Sequence, residues 1–199
     1  MQTIGRCLAL AALLLLSGLR YAAATDQLVL GQQLYVKDPI PPDTVKRYVK
    51  VYAKETASSS TIVGDPTVGG ATLRVVANGG TSSDQTFSMP ASGWTPISTI
   101  GFKYSNRIPG GPVKVGYIKK TPAGIFFIKA AIAGKYGTLD VVPPNPGTDG
   151  GFVLTIGGGD TYCSNFGGTA GGVLRNEPQG NPFKLFVVKK PTAETACLP

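Results

Sequence analysis

Glycine and proline together hold 43 of the 199 positions, 27 and 16 respectively, and from residue 31 onward they interrupt the chain throughout. Proline breaks a helix by removing a donor and clashing with the preceding turn, and glycine weakens one through its backbone entropy. No stretch is left for a long helix. Between the breaks lie short runs rich in Val, Ile, Tyr and Phe, at Leu28–Lys37, Arg47–Lys54, Ala71–Ala77, Gln85–Met89, Ile100–Tyr104, Val113–Lys119, Gly124–Ala133, Thr138–Val142, Gly151–Ile156 and Phe183–Lys189. Such runs predict an all-β fold, an antiparallel β-sandwich or flattened barrel of about 8–10 short strands.

Alternation supports strands. Leu73, Val75 and Ala77 share one face of their run, and Phe126, Ile128, Ala130 and Ile132 share one of theirs. The same period in Phe183–Val187 puts Phe183, Leu185 and Val187 toward a core. Thr121-Pro122-Ala123-Gly124 reads as a turn that folds its strand back as a hairpin. Asn145–Gly151 and Ser58–Asp65 read as loops, neither long enough to link two domains.

The N-terminus has a different grammar. Arg6 precedes an apolar run from Leu8 to Leu16, and Ala22-Ala23-Ala24 follows. That is the order of a secretory signal, with residues 1–24 removed and 25–199 left as one domain. The apolar run is too short to span a bilayer, which takes about 20 apolar residues. After cleavage no transmembrane segment is expected. The setting is extracellular or periplasmic, and bacterial export is the simplest case, because no Asn-x-Ser/Thr acceptor occurs.

Cys7 leaves with the signal. Cys163 and Cys197 remain, and an even number of cysteines in an oxidising compartment should pair. Closing their loop of roughly 33 residues constrains the unfolded chain by about 3–4 kcal/mol. Losing Arg6 and Arg20 lowers the formal charge from +8 to +6, which favours acidic partners.

Histidine is absent. This removes Ser-His-Asp and Cys-His catalysis, His-ligated zinc and the usual neutral-pH base. Carboxylate chemistry retains a pool of Asp38, Asp43, Glu55, Asp65, Asp84, Asp140, Asp149, Asp160, Glu177 and Glu194. Most of these sit in turns where Asp caps its own backbone, and no cofactor or metal is called for. Gly157-Gly158-Gly159-Asp160 resembles part of a calcium-binding β-roll repeat, but such sites need tandem copies. A glycine-permitted bulge is the structural reading.

Lys46, Tyr48, Lys50, Tyr52 and Lys54 fall on one face of a run whose other face holds Val45, Val49, Val51 and Ala53. Cations interleaved with rings suit a polyanion. An ordinary solvent face, or lysines guarding an exposed sheet edge, is the alternative. The lone Trp94, in a Pro-bounded loop, suits sugar stacking if exposed and core packing if not. Both features enter the candidate binding surface.

The stretch Gly158–Gly168, containing Tyr162-Cys163-Ser164-Asn165-Phe166-Gly167-Gly168, is followed by Phe183-Lys184 and by Cys197. Together they resemble an uncharacterised family of secreted bacterial domains with a Tyr-Cys-x-x-Phe-Gly-Gly motif and a terminal cysteine. Leu34–Asp38, Asp65–Gly70, Phe87–Pro90 with Trp94, and Phe102–Tyr104 extend the likeness over nearly the whole mature chain. Some relatives carry a second cysteine pair near Val113–Lys119 and Gly124–Ala133, where this chain has none. The resemblance implies a secreted β domain with Cys163 joined to Cys197, and supplies no activity. The expectation is a non-enzymatic extracellular module that binds an anionic polysaccharide or another surface protein rather than nucleic acid. An assembly subunit and a carboxylate glycan hydrolase are the alternatives.

Overall fold

A computed structural model describes residues 24–106, 110–177 and 184–198. Residues 1–23 of the expected signal, with Cys7, and Phe183 lie outside the described residues. Among the described residues thirteen strands form two sheets packed face to face as an all-β sandwich. In chain order they are β1 (Asp26–Leu28), β2 (Gly31–Lys37), β3 (Tyr48–Glu55), β4 (Ala71–Gly79), β5 (Ser83–Met89), β6 (Trp94–Pro96) and β7 (Gly101–Ser105). There follow β8 (Val113–Lys120), β9 (Phe126–Ala133), β10 (Gly147–Ile156), β11 (Thr161–Gly167), β12 (Val173–Glu177) and β13 (Leu185–Lys189).

One sheet has five strands in the order β1-β11-β10-β4-β5, the other eight in the order β12-β13-β2-β3-β9-β8-β7-β6. All neighbours are antiparallel except β1, which runs parallel to β11. A single core lies between them. Leu73, Val75, Phe152, Leu154 and Phe166 come from the five-stranded sheet, Leu34, Val36, Val49, Val51, Ile118 and Ile128 from the other. Phe126 stacks on Tyr162 across the layers with centroids 5.7 Å apart. Glycine at 31 allows close contact, since a Cβ there would stand 2.6 Å from the Phe166 ring.

The alternation in β4 and β9 buries the residues expected of it. The Thr121–Gly124 turn joins β8 to β9, with the Gly124 N–H donating to the Thr121 carbonyl and Gly124 at φ +74°. Four expectations are corrected. Thr138–Val142 is not a strand, although Leu139 and Val141 are fully buried as alternation required. Its backbone is held by side chains of β5. Gln85 bonds the Thr138 carbonyl and the Asp140 N–H, and the Ser83 hydroxyl bonds Val142. The segment thus covers the edge of β5.

Gly147–Gly151, read as loop, belongs to β10, where Gly150 lets the strand approach the Val76 carbonyl and Leu34. In β13 the core face is Phe186 and Val188, so the Leu185–Val187 face points outward. The glycines of Gly157–Gly159 form the β10–β11 hairpin turn rather than a bulge. The Gly159 N–H donates to the Ile156 carbonyl, and Gly158 sits at φ +73°.

Candidate functional site

β3 is central in its sheet, flanked by β2 and β9, so its lysines do not guard an edge. Val49, Val51 and Ala53 are fully buried, and Tyr48, Lys50, Tyr52 and Lys54 share the outer face as expected. Two members of the ladder are corrected. Lys46 precedes the strand in a 3-10 turn capped by Asp43, and Val45 beside it is 55% exposed rather than turned inward. Proline at 42 and the Asp43 side chain, which accepts from the Val45 N–H, start that turn and end the strand period there.

Trp94 is also corrected. It is 4% exposed, its indole N–H donates to the Met89 carbonyl, and its ring packs on Tyr104 at 5.4 Å. No ring face remains for a sugar.

The register widens the β3 face into a platform. Directly opposite residues in neighbouring strands lie on one face of a sheet. One row across it reads Lys189, Gln33, Tyr52, Lys129, Tyr117, Lys103 and Thr95. The next reads Arg175, Val187, Tyr35, Lys50, Ala131, Val115 and Ser105. On one side of these rows lie Lys54, Phe127 and Lys119, and on the other Lys37 and Tyr48. Cations two strands apart stand about 10 Å from one another, and those two residues apart along a strand about 7 Å.

Aromatic rings fill the gaps. Lys103 lies 5.8 Å from the Tyr117 centroid and Lys119 4.4 Å from that of Phe127. Tyr35 meets Tyr48 edge to face at 6.2 Å. Burial, and then the neighbouring Tyr35, push the Tyr48 phenol above its ordinary pKa, so it stays neutral and can donate. The one carboxylate among the described residues of this face, Glu177, stands opposite Leu185 beyond Lys37 and is paired with Arg175 at the margin. No lysine or tyrosine of the platform makes a hydrogen bond through its side chain to another described residue.

Lys103, Tyr117, Lys119, Phe127, Lys129, Tyr35, Lys37 and Lys189 were missed as site residues. Each alternates correctly within its own strand, but only the order and register of the strands unite them.

The acidic residues lie elsewhere. Asp38 is buried against Arg47 at 3.0 Å, and Asp84 takes Arg74 at 2.6 Å on the other sheet. Glu55 and Glu194 meet in an open cleft of about 540 Å³ lined by Leu28, Gln32 and Ser58–Ser60. Burial, and then a hydrogen bond and repulsion from Glu55, raise the pKa of Glu194. Glu55 is further engaged by the Leu30 N–H and the Ser58 hydroxyl. Among the described residues no three His, Cys, Asp or Glu gather to hold a metal, and no helix is long and apolar enough to cross a membrane.

Cys163 and Cys197 are joined by a disulfide with Cα atoms 5.3 Å apart. The tail that carries Cys197 lies over the outer face of the five-stranded sheet. Asn165 donates to Thr195 and to the Ala196 carbonyl, and Leu198 reaches Gly151 and Val76. Comparison with protein-family models, curated proteins and solved structures finds no match.

Proposed function

We propose that the protein is a secreted, non-enzymatic binding module that holds an anionic polysaccharide on the outer face of its eight-stranded sheet. The carrying observation is the segregation of charge. Lys37, Lys50, Lys54, Lys103, Lys119, Lys129 and Lys189 share one face with five aromatic rings, Tyr35, Tyr48, Tyr52, Tyr117 and Phe127. A chain polymer crossing the strands would meet a cation at about every second strand, with a ring between them for CH–π contact. The disulfide supports an oxidising, extracytoplasmic compartment, in keeping with an exported module.

The test is retention on heparin-type or other anionic polysaccharide resin as salt is raised. Exposed contacts contribute about 0.2–1 kcal/mol each, so Lys50→Glu, Lys103→Glu and Lys129→Glu together should weaken binding by about threefold to a hundredfold. Wild-type protein that passes through at low salt sinks the proposal. Displacement by single-stranded oligonucleotide but not by free polysaccharide would reassign the partner.

Assembly is the second reading, favoured by β12. Among the described residues it is an edge strand, and it exposes Val173 and Leu174. The opposite edge, β6, is short and ends in Pro96, which discourages pairing. Light scattering that shows one mass over a wide concentration range would dispose of assembly.

A further inference from the structure

Asp160 is 5% exposed, yet among the described residues neither Lys nor Arg pairs with it. Its donors are the Thr25 backbone N–H on Oδ1 at 3.0 Å, the Thr25 hydroxyl on Oδ2 at 2.9 Å, and the Gln27 amide on Oδ2. Burial alone would raise its pKa, but these donors outweigh burial and hold it below the usual carboxylate range. Buried carboxylates ordinarily have a cationic partner.

The sequence places a cation there. Small residues at the third and first positions before the cut are what a signal peptidase reads. Ala22 and Ala24 occupy those positions when the cut precedes Thr25. The nitrogen such a cut would free is the one already lying 3.0 Å from Asp160.

We propose that the export peptidase hydrolyses the Ala24–Thr25 bond and that the new α-ammonium of Thr25 becomes the ion-pair partner of Asp160. This rests on the export part of the proposed function and is independent of the polysaccharide face. In the step, water adds its oxygen to the Ala24 carbonyl carbon and the C–N bond breaks. Ala24 leaves as a carboxylate, and the Thr25 nitrogen takes up protons to become an ammonium.

One proton of that ammonium keeps the bond to Oδ1, and the others face solvent, because Thr25 is exposed. Exposed Asp26 is the only charged residue in β1. The uncleaved bond already has an ionised acceptor, and a cationic donor adds a direct charge–charge attraction across it, so cleavage tightens β1 against β11. The Thr25 carbonyl already accepts from the Thr161 N–H. Since Cys163 lies two residues further along β11, that strand would hold the new N-terminus beside the disulfide to Cys197.

Two measurements test this. Intact mass and N-terminal sequencing of protein exported by a secreting host should give a chain beginning at Thr25. A cut elsewhere overturns the inference and leaves export standing, whereas a chain found uncut overturns both.

The second measurement is thermal unfolding of chains beginning with free Thr25, with acetylated Thr25 and with free Ala24, each released from an N-terminal fusion. Free Thr25 should melt about 2–4 °C above the other two, and Asp160→Asn should erase the difference. Equal melting of the three forms, or a difference that survives Asp160→Asn, overturns the ion pair. If Asp160→Asn fails to fold, the three N-termini on the wild-type background still decide.

Discussion

Over the five-stranded sheet the chain lays its own tail, fastened by Cys163–Cys197 and by Asn165. The outward lysines and tyrosines of the eight-stranded sheet bond to no other described residue. The compositions differ accordingly. The covered face carries Thr72, Val76, Asn78, Val153 and Thr155, with Arg74 neutralised by Asp84. The open face carries seven lysines and, at its margin, the single carboxylate among its described residues, Glu177, paired with Arg175. Buried lysines would need partners, whereas exposed ones keep their hydration, so a lysine field is stable only where nothing packs on it. One face is used to stabilise the chain, and the other is left open.

Removing the disulfide should break this contrast most strongly. Cys163→Ser with Cys197→Ser frees the tail and costs about 3–4 kcal/mol, or roughly 10 °C in melting temperature for a domain of this size. Retention on anionic resin, measured well below the melting point, should be unchanged. If binding falls while the protein remains folded, the two faces are not independent and the tail contributes to the site.

Asn165→Ala probes the same cover without touching the sulfurs. Its amide donates to Thr195 and to the Ala196 carbonyl. Leaving those acceptors unpaired should cost about 1–3 kcal/mol, read as a lower denaturation midpoint with the slope unchanged. The charge contrast is tested by Arg74→Glu on the covered face. It should cost under about 1 kcal/mol, as exposed pairs do, and leave resin retention where it was. A loss of retention equal to that of Lys129→Glu would mean that net charge, not the platform, governs binding.

The fold was legible where each strand carried its own signal. Leu73, Val75 and Ala77 announce β4, and the Thr121–Gly124 turn announces the β8–β9 hairpin, because period and turn chemistry are local. Strand β11 was missed because Tyr162, Ser164 and Phe166 form its inward face, and a buried Ser interrupts the apolar alternation. Thr138–Val142 misled for the opposite reason. Its alternation is real, but Ser83 and Gln85 supply the hydrogen bonds a neighbouring strand would have made.

The site was legible only along β3. That Tyr52 faces Lys129, and Lys129 faces Tyr117, depends on strand order in the sheet, which no single segment encodes. Trp94 could not be placed, since whether its loop folds over the core is decided by Met89 and Tyr104.

The smallest expected effect concerns the point where the tail meets the open sheet's end. Glu194 on the tail faces Glu55 at the end of β3, and burial together with Glu55 raises its pKa above the ordinary 4.5. A carboxyl whose folded pKa is raised contributes stability below its unfolded pKa and loses that contribution as pH climbs through the folded one. The contact is therefore most favourable in acid, and its contribution falls as pH climbs through the raised folded value. Glu194→Gln removes the titration while keeping the hydrogen-bonding shape. The variant should melt slightly above wild type at pH 7, by an amount that shrinks to nothing as pH falls below 4.5. A constant offset across that range would mean that the amide gains some other contact. A lower melting point at pH 7 would mean that the glutamate charge is held by a cation at the tail rather than opposed by Glu55.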